Sequence, residues 1–529
     1  MGSRATVKPV TRREFLDVAA RGGLALSAGG LIAACGGSPS NSVSPAGTTG
    51  GPRHGGVLRV GLTGGSSSDN LDPNTPVNNT DFARIACLYD TLAWQDAKAR
   101  PYLRVAEEMT PNKDATVWTI RLRKGVLFHD GREATADDLI FTLKRVTNPK
   151  SPGVAANALG GVEAAGIRKL DRYTISVPFS HPYSTLVQAL DGTTTVYLVP
   201  VGFDPKHPIG TGPFKFVSFT PGQRSVFARW EHYWNQPLPY VDQLVLVDYS
   251  DASSQVNALL SGQADCVNLL SQNVIGSVTS GGKKVVISDG GGWNPFTMRV
   301  DQAPFNDVRV RQAFRLMVDR PKMLEIVFGG HGTIGNDIFG IWDPEYDHAI
   351  PQRHQDIAQA KHLLKAAGHE GLTVELVTGD VAQGVVNMAQ VFAQQAAQAG
   401  VKVNLNKVTP TEFYGPNYLK WTFAQDYWNY FPYLGQVPLA TSPGGAFNET
   451  HFDNPRYNAL YRQALATLDA SRRADIAHEM QIIDWNEGGY IIPFFPPVID
   501  GYAPNVSGIV PSKTGTSFND WAFQNIWLT

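Results

Sequence analysis

Hydrophobic positions along this chain switch repeatedly between alternation and helical spacing, the pattern of strands interleaved with helices. Val57-Leu58-Arg59-Val60-Gly61-Leu62 is short and largely apolar, which predicts a buried or half-buried strand. Trp118 to Arg123 alternates cleanly, placing Trp118, Ile120 and Leu122 on one face of a second strand. Leu244 to Val247 predicts a strand that leads into a helix over Ser254 to Ser261, stopped by Gly262. Further on, a helix over Asp356 to Ala367, a strand over Leu372 to Val377, a helix over Val381 to Ala399 and a strand over Val401 to Leu405 form a crossover unit. That order demands a parallel strand pair joined by a right-handed connection. Two amphipathic helices are expected over Asn454 to Leu468 and Ala474 to Trp485, the second with Ser471 as candidate N-cap. No repeat is visible that would build a solenoid or a propeller.

The first residues read as an address rather than as fold. A basic stretch from Arg4 to Arg13 precedes a weakly apolar run from Gly22 to Ala34, too short for a bilayer span, which needs about 20 residues. Thr11-Arg12-Arg13-Glu14-Phe15-Leu16 resembles the twin-arginine export motif, with Asp17 where a basic residue is usual. Leu31-Ile32-Ala33-Ala34-Cys35 resembles a lipobox, which makes Cys35 the expected lipidation site and residues 1–35 a signal peptide. Residues 36–55 are rich in Gly, Ser, Pro and Thr and predict a flexible tether, so the folded part is expected to begin near Gly56.

Composition narrows the class without naming a function. With 529 residues, 43% hydrophobic and 17% charged, the chain has room for several domain-sized units and is not wholly disordered. A formal net charge of -2 supplies no basic field for nucleic acid. Three cysteines make no disulfide framework; Cys87 and Cys266 sit among apolar neighbours as small buried side chains, a bridge between them being the alternative.

Enzyme motifs find no anchor. Gly276-Ser277-Val278-Thr279-Ser280-Gly281 is followed by Gly282 where a phosphate-binding loop needs lysine, and Gly210-Thr211-Gly212 lacks the third glycine of a dinucleotide turn. No His-Glu-x-x-His helix and no Gly-x-Ser-x-Gly elbow occurs. His129 and His451 read as surface or capping residues. No cofactor and no metal are expected, and the chain is read as a non-enzyme.

Several blocks, in order, resemble the extracytoplasmic solute-binding family typified by dipeptide-, oligopeptide- and nickel-binding proteins. They begin with Leu71-Asp72-Pro73 and Leu88-Tyr89-Asp90-Thr91-Leu92. The most specific runs from Leu122 through Gly125, Phe128, Asp130 and Gly131 to Thr135-Ala136-Asp137-Asp138-Leu139. Gly210 to Phe214, Tyr233-Trp234, Ser261 to Asp265 and Pro304 to Ala313 follow. These blocks also have local roles of their own: a turn at Asp130-Gly131, a cap at Thr135, and a cap at Asp307 for a helix closed by Asp319-Arg320.

The resemblance implies an α/β fold: a two-lobe, periplasmic-binding-protein-like clamshell of the class II type, with an extra α/β subdomain on the first lobe. Mapped here, lobe I takes 56–92, 204–291 and 502–529, the subdomain 93–203 and lobe II 292–501. It implies a substrate-binding component of an ABC importer that captures oligopeptides or similar solutes between closing lobes. The expected partners are the solute, the permease subunits and, through Cys35, the outer face of the cell membrane or the periplasm, with a monomeric chain. A glycan or a metal chelate is the alternative ligand, and a secreted lipoprotein hydrolase or chaperone is the alternative class.

Ten aromatics fall in the 21 positions from Phe413 to Tyr433, against 10% across the chain, as a solute pocket requires. Half are expected in the core and half at the cleft. Phe423-Ala424-Gln425-Asp426-Tyr427 resembles the family position where an aspartate meets a peptide α-ammonium, so Asp426 is the leading candidate. Trp421, Phe423, Tyr427, Trp428 and Tyr430 are its candidate neighbours; the opposite wall draws on Ser66, Ser67, Asn70, Trp293 and Asn294.

Overall fold

The computed structural model describes residues 51–76, 78–190 and 195–529. The export motif and Cys35 lie outside the described residues. Two sheets organise the chain. In the first, the strands run in the order Lys284–Asp289, Pro497–Tyr502, Cys266–Val267, Val57–Thr63, Gln243–Tyr249, Arg224–Arg229 and Phe214–Thr220. Val57–Thr63 is central because its apolar run suits burial: Leu58, Val60 and Leu62 are fully buried, each worth about 1.5 to 3 kcal/mol. It runs parallel to Gln243–Tyr249, and a parallel pair needs a long connection, which here carries a whole additional unit. The helix Ala252–Ser261 starts where Asp251 accepts from the Ser254 N–H at 2.8 Å and ends at left-handed Gly262.

The second sheet has the order Lys402–Lys407, Thr373–Thr378, Phe423–Gln425, Phe296–Met298 and Tyr490–Ile491. Thr373–Thr378 and Lys402–Lys407 are parallel and joined by the helix Val385–Gln398, the expected crossover. That helix begins four residues later than the apolar spacing suggested. Gly384 stands at its N-cap with φ 82°, where a Cβ would meet Val327 at 2.7 Å and Phe328 at 2.8 Å. Phe296, Phe314, Phe392 and Phe423 pack together under this sheet.

The additional unit contains the sheet Ala106–Pro111, Val117–Leu122, Thr174–Pro178 and Arg168–Lys169 with the helix Ala136–Val146 against it. Trp118, Ile120 and Leu122 are buried on one face, as their alternation requires. Asp138 accepts from the Thr135 backbone N–H at 3.0 Å and, through its other oxygen, from Val201 N–H at 3.0 Å, so one side chain fixes both a helix start and a distant loop. This unit also reaches the second sheet's half of the molecule. Ser184 donates through its N–H to the Leu465 carbonyl at 2.8 Å and through its hydroxyl to the Ala464 carbonyl at 3.1 Å, and Leu465 packs into the unit's own core.

Local readings differ from the structure at three places. Asp469, not Ser471, caps the helix Ala470–Glu487, accepting from Arg472 N–H at 2.8 Å. Asp319 does not close the helix Val308–Leu316 but opens the next, Arg320–Phe328, because its carboxylate accepts from Lys322 N–H. His129 is no surface residue: its ring is wedged between the Gly210 N–H, which donates to Nδ1 at 3.3 Å, and the Gly212 carbonyl, 3.0 Å from Nε2. Cys87 and Cys266 are free and buried. No described helix is long and apolar enough to cross a membrane.

Candidate ligand site

The strand Phe423–Gln425 lies between Thr373–Thr378, to which it is parallel, and Phe296–Met298. Asp426 follows its last residue, at the carboxyl end of the parallel pair, where α/β sheets leave room for ligands. The chain is then pinned. Trp293 and Trp428 form a bridge, their N–H groups donating to each other's carbonyls at 2.9 and 2.8 Å, and their rings stack 5.5 Å apart at 7°. Trp293 in turn stacks on Phe339. Gly291 permits the crossing chain to lie against this loop, since a Cβ there would stand 2.4 Å from the Tyr430 ring.

Asp426 is 3% exposed. Tyr414 hydroxyl donates to its Oδ1 at 2.6 Å, Tyr418 hydroxyl to its Oδ2 at 3.1 Å, and the Tyr427 N–H to Oδ1 at 2.8 Å. Burial pushes the Asp426 carboxyl above the usual carboxylate range, opposed by neighbouring Glu449 and by the hydrogen bonds from Tyr414, Tyr427 and Tyr418. Glu449, from a distant loop and 6% exposed, accepts from the Tyr490 hydroxyl at 3.0 Å through Oε2. Burial and then the charge of Asp426 push the Glu449 carboxyl well above its ordinary value. Among the described residues no basic side chain forms an ion pair with either acid. Two rings around them reach solvent: Tyr414 is 41% exposed and Tyr427 45%.

The aromatic stretch divides evenly. Phe413, Phe423, Trp428, Tyr430 and Tyr433 are buried, while Tyr414, Tyr418, Trp421, Tyr427 and Phe431 keep part of their surface in water. Phe423 belongs to the core under the second sheet. Trp421 lies against Phe413 and donates to its carbonyl at 3.3 Å. Asn294 is buried and donates to the Gln383 carbonyl at 3.2 Å.

On the first sheet's side, Ser66 and Asn70 are drawn into a turn. Ser66 donates to Asp69 through its N–H at 2.8 Å and its hydroxyl at 3.0 Å, and Asn70 donates to the Thr75 carbonyl at 2.8 Å. Asp69 and Asp81 each pair with buried Arg84 at 2.9 Å, and Asp248 pairs with it too. Ser67 is exposed beside this turn. The structure therefore gathers Asp426, Tyr427 and Trp428 in one place with Trp293, which stacks on this side rather than standing on the opposite wall, joined by Tyr414, Tyr418 and Glu449, which motif matching did not single out. Tyr414 and Tyr418 were visible as members of the aromatic cluster. Glu449 carried no sequence signal, since only the fold brings its loop to Asp426.

The model of bacterial extracellular solute-binding proteins, family 5 Middle, matches residues 100–450. The glutathione-binding protein GsiB of Salmonella typhimurium is 25% identical over 484 residues, covering 86% of this chain and 93% of that protein. Among solved structures, the binding protein AgaA of A. tumefaciens R10 in complex with agropinic acid superposes with a TM-score of 0.75 at 22% identity, over 90% of this chain and 99% of that one. The oligopeptide-binding protein AppA of Bacillus subtilis in complex with a nonapeptide gives 0.73 at 21% identity, over 90% of this chain and 100% of that one. The two principal sheets, with the additional unit inserted between strands of the first, are thus the two-lobed architecture of periplasmic binding proteins. The chain belongs to the bacterial extracellular solute-binding proteins of family 5, the substrate-binding components of ABC importers.

Proposed function

We propose that the protein captures short peptides or peptide-like solutes by their free amino terminus, held at Asp426, and passes them chemically unchanged to a membrane permease. One observation carries this reading: Asp426 is a buried acid ringed by hydroxyl donors and lacks a basic partner among the described residues. An unpaired carboxylate in such surroundings is costly, and an arriving ammonium restores the balance with a charge-assisted hydrogen bond worth about 1.5 to 3 kcal/mol. Tyr427, Trp428, Tyr430 and Trp421 form the proposed aromatic wall over Phe423, with Trp293 and Asn294 behind it. Ser66, Ser67 and Asn70 are the proposed contacts from the first lobe, which closes over the solute. The glutathione and nonapeptide in the names of GsiB and AppA support the ligand class.

The lipobox-like Leu31 to Cys35 supports lipid anchoring at the outer face of the cell membrane or in the periplasm, with residues 36–55 as tether and the twin-arginine-like motif as export route. Native mass spectrometry of the protein as isolated, followed by titration with tri-alanine and N-acetyl-tri-alanine, tests the proposal. Retained peptide and preference for the free amine are expected. A retained sugar or metal chelate, or equal affinity for both peptides, would reject amino-terminal capture, and turnover of the ligand would reject the binding role.

A further inference from the structure

Large apolar side chains left singly in water are ordinary, whereas several gathered around one group mark a contact surface. Five aromatic rings are exposed among the described residues, and they are not evenly spread. Tyr102 and Phe216 lie on the strands Pro101–Leu103 and Phe214–Thr220, neither of which belongs to the second sheet. The other three, Tyr414, Tyr427 and Phe447, collect at Asp426. Tyr414 bonds its carboxylate, Tyr427 follows it in the chain, and Phe447 lies edge-on to Trp428, two residues further, with ring centroids 6.0 Å apart at 84°. Phe447 is 41% exposed although Trp428 and Leu439 beside it are buried. Its loop is braced by its own bonds. The Phe447 N–H donates to the Leu439 carbonyl at 3.0 Å, the Gly445 N–H to the Ser442 carbonyl at 3.0 Å, and the Asn448 amide to the Ser442 and Phe452 carbonyls at 3.1 and 3.0 Å. A Cβ at Gly445 would stand 2.7 Å from the Leu439 carbonyl oxygen, so glycine is what lets the loop lie this close. A backbone tied down in this way holds the ring out at the mouth of the site before any ligand arrives, and a group ordered in advance loses little entropy when it makes contact.

We infer that Phe447 is a specificity-determining residue of the ligand site, whose exposed ring packs against an aromatic side chain carried by one of the first two residues of the bound peptide. This inference rests on the reading of Asp426 as the ammonium receptor, and it narrows the solute from any short peptide to one with an aromatic residue at its amino end. The two contacts divide the task. An ammonium is common to every free peptide and is met by Asp426, whereas the side chain next to it differs between peptides and is met by the ring. An aromatic partner is favoured over an aliphatic one because offset and edge-to-face ring pairs gain attraction beyond the area they bury. The edge-on pair of Phe447 with Trp428 already has that geometry, and the exposed part of the Phe447 ring is free to repeat it with a ligand.

Calorimetric titration with tri-alanine, Phe-Ala-Ala, Ala-Phe-Ala and Ala-Leu-Ala tests the proposal in the wild type, in Phe447→Ala and in Phe447→Tyr. The wild type should bind the better of the two aromatic peptides about tenfold or more tightly than tri-alanine, with Ala-Leu-Ala in between. Phe447→Ala should shrink that margin to within about twofold while leaving tri-alanine affinity within about twofold, and Phe447→Tyr should restore the margin. The unchanged tri-alanine affinity also shows that the variant is folded. Three results would overturn the proposal: no aromatic margin in the wild type, a margin that survives in Phe447→Ala, or an equal loss for every peptide, which would make Phe447 a structural residue of its loop. Ala-Leu-Ala binding as tightly as the aromatic peptides would overturn the aromatic preference. The N-acetylated forms separate this proposal from amino-terminal capture. If acetylated and free Ala-Phe-Ala bind equally and the margin still vanishes in Phe447→Ala, capture by the amino terminus fails and the role of Phe447 stands. If free amines are preferred with no aromatic margin, the reverse holds, and binding of none of these peptides rejects both.

Discussion

Asp337 and Asp426 are both almost fully buried acids of the second lobe, yet they are opposites. Asp337 receives Arg320 at 2.8 and 2.7 Å, pairs with Arg353, and has Arg315 at 4.0 Å. Burial alone would raise its carboxyl, but the charges of Arg320, Arg353 and Arg315 outweigh it and hold the group below the usual range. Asp426 suffers the same burial, is offered hydroxyls and a second acid in place of guanidinium groups, and is raised. Desolvation is thus common to both, and the identity of the partner separates them. An acid whose countercharge is built in holds the fold together; the role proposed for Asp426 is to receive its countercharge from outside.

The contrast can be broken most forcefully at Asp337. Asp337→Ala strands buried arginines and should cost about 3 to 5 kcal/mol, read as a large drop in the denaturation midpoint; a loss below about 1 kcal/mol would dissolve the distinction. Asp426→Asn should change stability by no more than about 1 kcal/mol while weakening tri-alanine binding by roughly 10- to 150-fold in calorimetry. The opposite partition would make Asp426 a second structural acid.

Asp484 sharpens the comparison from a third side. It accepts from the hydroxyls of Tyr433 at 2.6 Å and Tyr457 at 3.1 Å, and burial pushes its carboxyl up to about 7. Because the folded value lies above the unfolded one, its stabilising contribution is complete below about pH 4 and disappears as pH rises through 7. Asp484→Asn should flatten that part of the melting-temperature profile by about 2 °C without altering peptide affinity. The smallest effect is expected from Tyr418→Phe, which removes the longer of the two hydroxyl bonds to Asp426 and should weaken binding roughly threefold.

Periodicity revealed the scaffold because burial and spacing agree there. The crossover through Val385–Gln398 and the one-sided strand of Trp118, Ile120 and Leu122 follow directly from apolar positions. Helix starts were less legible where several capping residues compete: Asp469 stands two residues before Ser471, and an ionised carboxylate is the better acceptor for the free N–H groups. Asp426 was legible because a motif and an aromatic cluster converge on it. Glu449 was not, because a lone acid in a loop acquires meaning only when a tertiary contact places it beside another. Ser66 and Asn70 have a second role that their spacing did not announce, in a local turn whose Asp69 pairs with Arg84.

The clip at Ser184 has a mechanical consequence. The inserted unit is covalently part of the half containing Val57–Thr63 but is hydrogen-bonded to the end of the helix Pro455–Leu465 in the other half. Swinging the halves apart must therefore either pull Leu465 from its socket, against about 1.5 to 3 kcal/mol of apolar burial, or carry the insert along and flex its stems. Either way, any such swing would work against a contact whose side chains are separate from Asp426 and Glu449.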